Sequence, residues 1–337
     1  MEYQKVIEQA RGCIGPYCKA CAVCDGRACK NTMPGPGAKG IGDVAIRNFQ
    51  KWQEIRINMD TICEKQTVDT TVSLFGQEFV YPFFAGPVGA VKLHYGEKYT
   101  DQQYNEVLLS GCKESGIAAF TGDGADARVM EEATAAVIKL GGFGIPTVKP
   151  WDMDTIRDKM ELVKRSGAFA VAMDIDAAGL PFLQNLTPPA GSKSVEQLKE
   201  IVKIAEIPLI LKGIMTVKGA KKALEAGAQA IVVSNHGGRV LDQCPSTAEV
   251  LPDIVKAVDG QMKVFVDGGI RTGTDVFKAL AMGADAALIA RPFVTAAYGA
   301  GVQGVSAYTG KTGNELRDTM AMCGAFSVKE ITEEMLW

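Results

Sequence analysis

Two histidines occur in the 337 residues, so imidazole chemistry has only two candidates, His94 and His236. His236 stands in the segment SNHGGRVLD (234–242), after an apolar run and between an asparagine and two glycines. An unperturbed imidazole has a pKa of about 6.5, which suits proton abstraction near neutral pH. Arg239 follows shortly after, and a guanidinium can hold a carboxylate through two hydrogen bonds. The segment predicts a base beside a carboxylate-binding group, whereas His94 is predicted to be solvated or loosely packed.

Carboxylates and one lysine end neighbouring apolar runs and could complete this chemistry. A catalytic imidazole needs an orienting partner on its second ring nitrogen, and Asp174 and Asp176 are both available at the end of the run FAVAMDID. Lys212 ends the run ILKG. A lysine at that position could form a Schiff base with a carbonyl substrate or stand as a fixed cation beside an electron-accepting ring.

Two further segments predict a phosphate site. The segment DGGIRTGTD (267–275) follows an apolar run and opens a helical stretch. The backbone N–H groups of Gly268 and Gly269 and the helix dipole can therefore attract an anion. Arg291, in IARPF, ends the next apolar run. With the lysine and the histidine, this phosphate site favours a phosphorylated redox cofactor over an aldolase.

The elements that must position these residues alternate regularly along most of the chain. Apolar runs of strand length are predicted at 79–86, 117–122, 141–148, 169–176, 207–213, 229–235, 263–269 and 286–291. Amphipathic helices are predicted between them at 101–114, 126–139, 152–166, 194–205, 216–226, 247–258 and 273–282. Strands that are apolar on both faces are typical of parallel strands covered by helices. The order predicts the α/β class and a (β/α)8 TIM barrel, whose polar strand ends meet at one mouth, over a doubly wound sheet.

The beginning of the chain departs from this pattern. Residues 1–75 are predicted as a cysteine-rich, helical and loop extension packed on a barrel of residues 76–337, with short helices at 3–11 and 45–52. Five of the nine cysteines lie between these helices with the spacing C-x4-C-x2-C-x2-C-x4-C. Four of the five thiolates could bind an iron–sulfur cluster or a zinc ion, and reduced structural thiols are the alternative. The five are Cys13, Cys18, Cys21, Cys24 and Cys29.

Composition excludes several classes of function. The chain carries 36 Lys and Arg against 39 Asp and Glu, a net charge of −3, so a basic nucleic-acid-binding surface is not its main design. No apolar run reaches the roughly 18 residues of a membrane span. The polar start MEYQKVIEQARGC lacks the apolar core of a secretory signal. We therefore expect a cytoplasmic protein with reduced thiols and without nucleic-acid or membrane partners.

Several motifs of the sequence resemble those of the FMN-dependent 2-hydroxy-acid oxidases and dehydrogenases, a family that includes glycolate oxidase and lactate oxidase. The segments that carry the resemblance are SNHGGRVLD, VFVDGGIRTGTDVFKALAMGA and ALIARP. The resemblance is strong over 207–330 and is weaker but in register from about residue 36. It implies a TIM barrel that binds FMN at its mouth and oxidises an L-2-hydroxy acid to a 2-oxo acid.

The same resemblance implies roles for individual residues. His236 would be the catalytic base, Asp176 its partner, and Arg239 would bind the carboxylate of the substrate. Lys212 would lie beside the flavin N1–C2=O edge and stabilise the negative charge of the reduced ring. The other FMN-binding positions are Pro87, Val88, Ser234, Asp267, Gly268, Gly269, Arg271, Ala290 and Arg291.

The chain departs from the family pattern around the substrate. Met33, in TMPGPGA, stands near the place of a tyrosine, and the third barrel strand ends in PTV (146–148) rather than Q-x-Y. The stretch 174–183 offers no second arginine. The cysteine segment is also outside the family pattern. A metal cluster there could pass electrons from the flavin to an external carrier, which favours a dehydrogenase over an oxidase.

Two alternatives from other classes stay open at this point. A flavin-dependent isomerase resembling type 2 isopentenyl diphosphate isomerase would use the same barrel and FMN without net oxidation. A redox or electron-transfer protein with FMN and a metal cluster would make the cysteine segment its working part. Because members of the resembled family often form tetramers or larger assemblies, a homo-oligomer is also expected.

Overall fold

Parallel strands and helices alternate along most of the chain. The structure, a computed structural model, describes residues 1–64, 66–180, 183, 185–186 and 190–337. Its strands are β1 (Val72–Leu74), β2 (Gln77–Phe79), β3 (Phe83–Ala85), β4 (Phe120–Thr121), β5 (Ile145–Val148), β6 (Val171–Asp174), β7 (Leu209–Ile214), β8 (Ala230–Val233), β9 (Lys263–Val266) and β10 (Ala286–Ile289). Its α-helices are α1 (Tyr3–Arg11), α2 (Val44–Glu54), α3 (Val91–Tyr95), α4 (Asp101–Glu114), α5 (Ala127–Lys139), α6 (Met153–Ser166), α7 (Val195–Ala205), α8 (Val217–Ala226), α9 (Thr247–Val258), α10 (Gly273–Ala281) and α11 (Arg291–Met322).

Eight of the strands form one parallel sheet, in the order β3, β10, β9, β8, β7, β6, β5, β4. A parallel bridge between Ala85 of β3 and Ala119, next to β4, joins the two edges, so the sheet closes into a barrel. Strands such as β6 and β10 are buried along their whole length, which explains the continuous apolar runs of the sequence. The predicted (β/α)8 TIM barrel is confirmed.

Capping residues set the starts of the outer helices. Thr100, Ser194, Ser246 and Thr272 each form a capping box, in which the side-chain oxygen accepts a hydrogen bond from a backbone N–H of the first turn. The predicted helix starts lie within one residue of the observed ones. The sequence pattern does not predict α11, whose 32 residues include a break in the helical backbone at Ala300–Gly301. Among the helices of the described residues, this long one included, none has the length and apolar character needed to cross a membrane.

The first 75 residues pack against the barrel and its last helix. Helix α1 packs against α11. Trp52 of α2 is fully buried, and its Nε1 donates a hydrogen bond to Gly268 O at 2.8 Å. The antiparallel hairpin of β1 and β2 crosses the predicted boundary, because Leu74 pairs with Gln77. The division into residues 1–75 and 76–337 stays a prediction.

A buried carboxylate after β4 ties this strand to β5 and α6. Asp123 Oδ2 accepts hydrogen bonds from Lys149 N at 3.0 Å and from Trp151 Nε1 at 2.7 Å. Its Oδ1 lies 2.8 Å from Lys159 Nζ, and both side chains of this ion pair are almost completely buried. The carboxylate thus fixes the backbone where β5 ends.

Asp123→Asn is expected to lower the free energy of unfolding by about 3 kcal/mol, because it leaves the ammonium of Lys159 buried without a counter-charge. Chemical denaturation measures this loss. Asp126→Asn is the matched control, since Asp126 forms an exposed ion pair at the surface and such pairs contribute little. Equal losses of unfolding free energy in the two variants would contradict the stabilising role of the buried Asp123–Lys159 ion pair.

Candidate active site

Most of the predicted site residues line one cavity at the carboxyl-terminal mouth of the barrel. Its volume is about 600 Å³, which lies within the range of small-molecule sites. The predicted residues in its wall are Pro87, Val88, Lys212, His236, Arg239, Asp267, Gly268, Gly269, Arg271, Ala290 and Arg291. Lys212 lies in the second half of β7 and the others follow β3, β8, β9 and β10, so the parallel topology brings them to one face.

Asp176 and Ser234 lie behind His236 rather than in the cavity wall. Asp176 Oδ1 is 3.0 Å from His236 Nδ1, and Ser234 Oγ accepts a hydrogen bond from His236 N at 3.1 Å. When Nδ1 carries the proton shared with Asp176, Nε2 keeps a lone pair. The pair therefore has the arrangement that an oriented base requires. Ser234, predicted as an FMN contact, holds the backbone of this base in the structure.

The backbone of residues 236–238 is left-handed throughout. His236, Gly237 and Gly238 have φ angles of 55°, 64° and 80°. For a non-glycine residue this conformation costs on the order of 1 kcal/mol and persists only where the surroundings hold it. A Cβ at Gly238 would lie 2.7 Å from the Cβ of Val44. The glycine thus lets α2 approach the loop that carries the base.

The segment after β9 presents unsatisfied polar atoms to the cavity. Arg271 Nε donates a hydrogen bond to Cys24 O at 2.6 Å. Among the described residues, Arg271 Nη2 and Asp267 Oδ1 are buried without a hydrogen-bond partner. A phosphate oxygen would satisfy the first atom and a ribityl hydroxyl the second, since buried polar atoms are normally paired. The residues present therefore fit FMN.

Lys212 is buried among carboxylates. Its Nζ lies 3.2 Å from Asp174 Oδ1 and 3.7 Å from Asp267 Oδ2. Burial lowers the pKa of Lys212, but the charges of Asp174, Asp176 and Asp267 outweigh it and raise the pKa above its usual value. A lysine must be neutral to form a Schiff base. The geometry therefore favours the fixed cation over the Schiff-base lysine.

Arg239 lies in the cavity wall next to the loop 35–37. Its Nη1 donates hydrogen bonds to Gly35 O and to Gly37 O, the latter at 3.3 Å. Within the described part of the chain its hydrogen bonds use Nη1 alone, which leaves Nε and Nη2 to hold a carboxylate. The stretch 174–183 carries no second arginine in its sequence. Residues 181 and 182 of this stretch lie outside the described residues.

Lys149 and His94 are among the cavity residues that are absent from the predicted set. Lys149 follows β5, and its Nζ lies 2.7 Å from Asp174 Oδ2. His94 lines the same cavity, and its Nδ1 accepts a hydrogen bond from Gly35 N at 3.0 Å. Burial and the positive charges of Arg239 and Lys149 lower the pKa of His94 to about 3. The prediction of a solvated or loosely packed His94 is wrong, because the loop 35–37 covers it.

The five N-terminal cysteines fall into two groups by their contacts: Cys13 alone, and the other four together. Cys13 Sγ donates a hydrogen bond to a carbonyl oxygen of α11 at 3.0 Å. The other four interact electrostatically with one another. Burial raises the pKa of Cys18 to about 11, with further contributions from Cys24, Cys29 and Cys21. If four of the five cysteines act together, they are Cys18, Cys21, Cys24 and Cys29.

These four sulfurs do not form a closed ligand set. Within the described residues, the one group of three or more potential ligand atoms that lie within 4.8 Å of one another is Asp174, Asp176 and His236. Asp174 is already paired with two lysines and Asp176 with the imidazole. The iron–sulfur cluster or zinc ion at the cysteines stays a prediction.

The cysteine segment contacts Arg271 and Arg291, the arginines of the predicted phosphate site. The carbonyl of Cys24 accepts the hydrogen bond of Arg271, and the thiol of Cys29 interacts with the guanidinium of Arg291. Arg291 Nη1 also donates a hydrogen bond to Pro36 O at 3.4 Å. The N-terminal segment therefore forms part of the surroundings of the phosphate site.

The fold and the arrangement of the site are those expected of a flavin-dependent oxidoreductase with a TIM barrel: the predicted phosphate-binding residues, a buried lysine and a histidine paired with a carboxylate share one mouth. The family model of FMN-dependent dehydrogenases matches residues 36–186 and 181–337. The chain belongs to this family. The resemblance drawn from the motifs and the prediction of an FMN-dependent enzyme that acts on CH–OH groups are confirmed.

Two similar proteins are 2-hydroxy-acid oxidases. The peroxisomal (S)-2-hydroxy-acid oxidase GLO4 of Oryza sativa subsp. japonica is 33% identical over 316 residues, with 85% of each chain covered. The 2-hydroxyacid oxidase 2 of Mus musculus is 27% identical, with 86% of this chain and 88% of that protein covered. These names favour 2-hydroxy-acid oxidation over the isomerase.

Solved structures show the same similarity in three dimensions. Mandelate oxidase with benzoyl-formic acid has a TM-score of 0.79 at 25% identity, with 100% of this chain and 97% of that chain covered. Flavocytochrome b2 with sulfite bound has a TM-score of 0.77 at 25% identity, with 87% and 78% covered.

Proposed function

We propose that the protein oxidises an L-2-hydroxy acid to the 2-oxo acid with His236 as the base. The observation that carries this is the Asp176–His236 pair, which leaves Nε2 able to take a proton in the cavity that Arg239 also lines. FMN, when bound, accepts the two electrons that leave the substrate carbon. Asp176 stabilises the imidazolium that forms when Nε2 is protonated.

The other wall residues hold the substrate and the cofactor. Arg239 binds the substrate carboxylate through Nε and Nη2, which orients the hydroxyl-bearing carbon toward the base. Lys212 supplies a fixed positive charge where negative charge develops on the reduced ring. Arg271 and Arg291 hold the phosphate, and Asp267 binds the ribityl chain.

Anaerobic mixing with a panel of 2-hydroxy acids tests this proposal. We expect at least one L-enantiomer to bleach the absorbance of the bound FMN, with one 2-oxo acid formed for each FMN reduced. The matching D-enantiomers are the control. If no acid of the panel reduces the flavin while the protein is fully loaded with FMN, the proposed substrate class is wrong.

The four neighbouring cysteines are proposed as the ligands of a thiolate-bound metal, either zinc or an iron–sulfur cluster. Their spacing supports this, since Cys18, Cys21, Cys24 and Cys29 lie in a stretch without helix or strand, which a metal would crosslink. An iron–sulfur cluster there would pass electrons to an external carrier, so the enzyme is proposed as a dehydrogenase rather than an oxygen-using oxidase.

Metal analysis of protein purified without oxygen tests the thiolate site. We expect either zinc or iron with sulfide in the unaltered protein, and its loss together with a lower FMN content in Cys24→Ser. Cys13→Ser is the matched control, because the sulfur of Cys13 bonds to a carbonyl of α11, and it is expected to retain the metal. Unaltered protein without metal, or equal metal loss in both variants, would contradict the site.

A further inference from the structure

Four charges of alternating sign, three of them buried, form a row across the mouth of the barrel. Lys149 Nζ lies 2.7 Å from Asp174 Oδ2, and Lys212 Nζ lies 3.2 Å from the other oxygen of the same carboxylate. Asp267 Oδ2 follows at 3.7 Å from Lys212 Nζ. The side chains of Lys149, Asp174 and Lys212 are 9%, 3% and 4% exposed. Water therefore screens these charges weakly.

Asp174 has two opposite effects on Lys212. Its carboxylate fixes the ammonium in place, but a negative charge at 3.2 Å also offsets the positive field that Lys212 projects into the cavity. The carboxylate stays ionised, since the ammonium groups of Lys149 and Lys212 outweigh burial and hold the pKa of Asp174 well below its usual value. Lys212 and Asp174 alone would be a neutral pair.

Lys149 changes this balance. Lys149, Asp174 and Lys212 together carry one net positive charge, so the whole row with Asp267 is neutral; without Lys149 the row would carry one net negative charge. Lys149 is held independently of Lys212, because its backbone N donates to the buried carboxylate of Asp123 at 3.0 Å. Lys149 also lines the cavity itself, together with Lys212 and Asp267, so its charge acts on the same space.

We propose that Lys149 is a positioning residue for charge at the flavin: it neutralises Asp174, so that Asp174 can fix Lys212 without cancelling the cation that the reduced flavin requires. This inference rests on the proposed function only in placing Lys212 beside the ring. It assigns Asp174 and Lys149 a joint role in the reduction potential of FMN rather than in substrate binding.

The test uses the FMN-loaded protein and needs no substrate. The variant Lys149→Gln keeps a hydrogen-bond donor toward Asp174 but removes the charge. We expect its reduction by a reference dye, measured at equilibrium, to be about tenfold less favourable, which for two electrons corresponds to about 30 mV. Sulfite, which adds to electron-poor oxidised flavin, is expected to bind about tenfold more weakly by the same charge effect.

A second substitution separates charge balance from general damage. The double variant Lys149→Gln/Asp174→Asn removes both charges of the pair, so we expect dye reduction and sulfite affinity to return toward those of the unaltered protein. Lys149→Arg, which keeps the charge, is expected to behave like the unaltered protein. Should Lys149→Gln fail to fold, the double variant and Lys149→Arg provide the same comparison, and the inference requires both to match the unaltered protein.

Two results would overturn the inference. In the first, Lys149→Gln leaves the potential and the sulfite affinity unchanged and raises only the KM for the 2-hydroxy acid, which would make Lys149 a substrate ligand. In the second, the double variant is as impaired as the single one. A protein that binds FMN but oxidises no 2-hydroxy acid would instead contradict the proposed substrate, since neither probe depends on it.

Discussion

Replacing His236 by glutamine is expected to lower kcat by about 10²- to 10⁴-fold while the protein keeps its FMN. A glutamine amide can donate a hydrogen bond to Asp176, as His236 Nδ1 does at 3.0 Å, but it cannot take up a proton. The donors of the phosphate site, Arg271 and Arg291, come from other strands and are unaffected. Anaerobic stopped-flow reduction of the bound FMN measures the loss, and the flavin absorbance of the purified variant reports FMN content.

His94→Gln is the matched control for this experiment. It removes the second imidazole from the same cavity wall, but the amide oxygen of glutamine can still accept the hydrogen bond from Gly35 N that Nδ1 accepts at 3.0 Å. We expect a far smaller loss of turnover than in His236→Gln. If His236→Gln reduces FMN as fast as the unaltered protein does, another group is the base.

Arg239→Met is expected to lower kcat/KM by about 10- to 100-fold, because charge-assisted hydrogen bonds contribute about 1.5–3 kcal/mol. The carboxylate is bound in the ground state and in the transition state alike, so most of the change is expected in KM. Steady-state kinetics over a range of substrate concentrations separates the two constants. The side chain also loses its hydrogen bonds to Gly35 O and Gly37 O, so FMN content is measured in parallel.

The variant Arg239→Lys distinguishes charge from geometry. Lysine keeps the positive charge but cannot form two parallel hydrogen bonds with a carboxylate, so we expect a kcat/KM between those of the unaltered protein and Arg239→Met. An unchanged KM in Arg239→Met would remove Arg239 from carboxylate binding. It would leave the assignment of His236 untouched.

The barrel was predictable because its strands are buried on both faces and its helices on one. The run 169–176 and the helix 101–114 illustrate both patterns, and the observed β6 and α4 lie on them. Helix α11 was not predictable, since its many glycines resemble a loop. Tertiary packing overrides that preference: a Cβ at Gly304 would lie 2.1 Å from Ala296 O across the break in the helix.

The site was predictable where a polar residue lies near or just after the end of an apolar strand. His236 and Arg239 follow β8 in the motif SNHGGRVLD, Lys212 lies in the second half of β7, and all three line the cavity. Lys149 directly follows a strand, but no motif surrounds it. Its role depends on the ion pair with Asp174 of the next strand, which the sequence does not reveal. The surroundings of His94 depend on the loop 35–37, which local sequence patterns cannot bring to it.

Contacts between the start of the chain and its last third also determine when the N-terminal segment can finish folding during synthesis. The hydrogen bond from Arg271 to Cys24 spans 247 residues, and that from Trp52 to Gly268 spans 216. Contacts this distant in sequence form late, because their partners must first be made and folded. The cysteine segment therefore leaves the ribosome before the barrel does, and its contacts with Arg271 and Arg291 form only after β9 and β10 have emerged. Throughout that interval the nascent chain exposes the thiols of this segment to metal ions and oxidants.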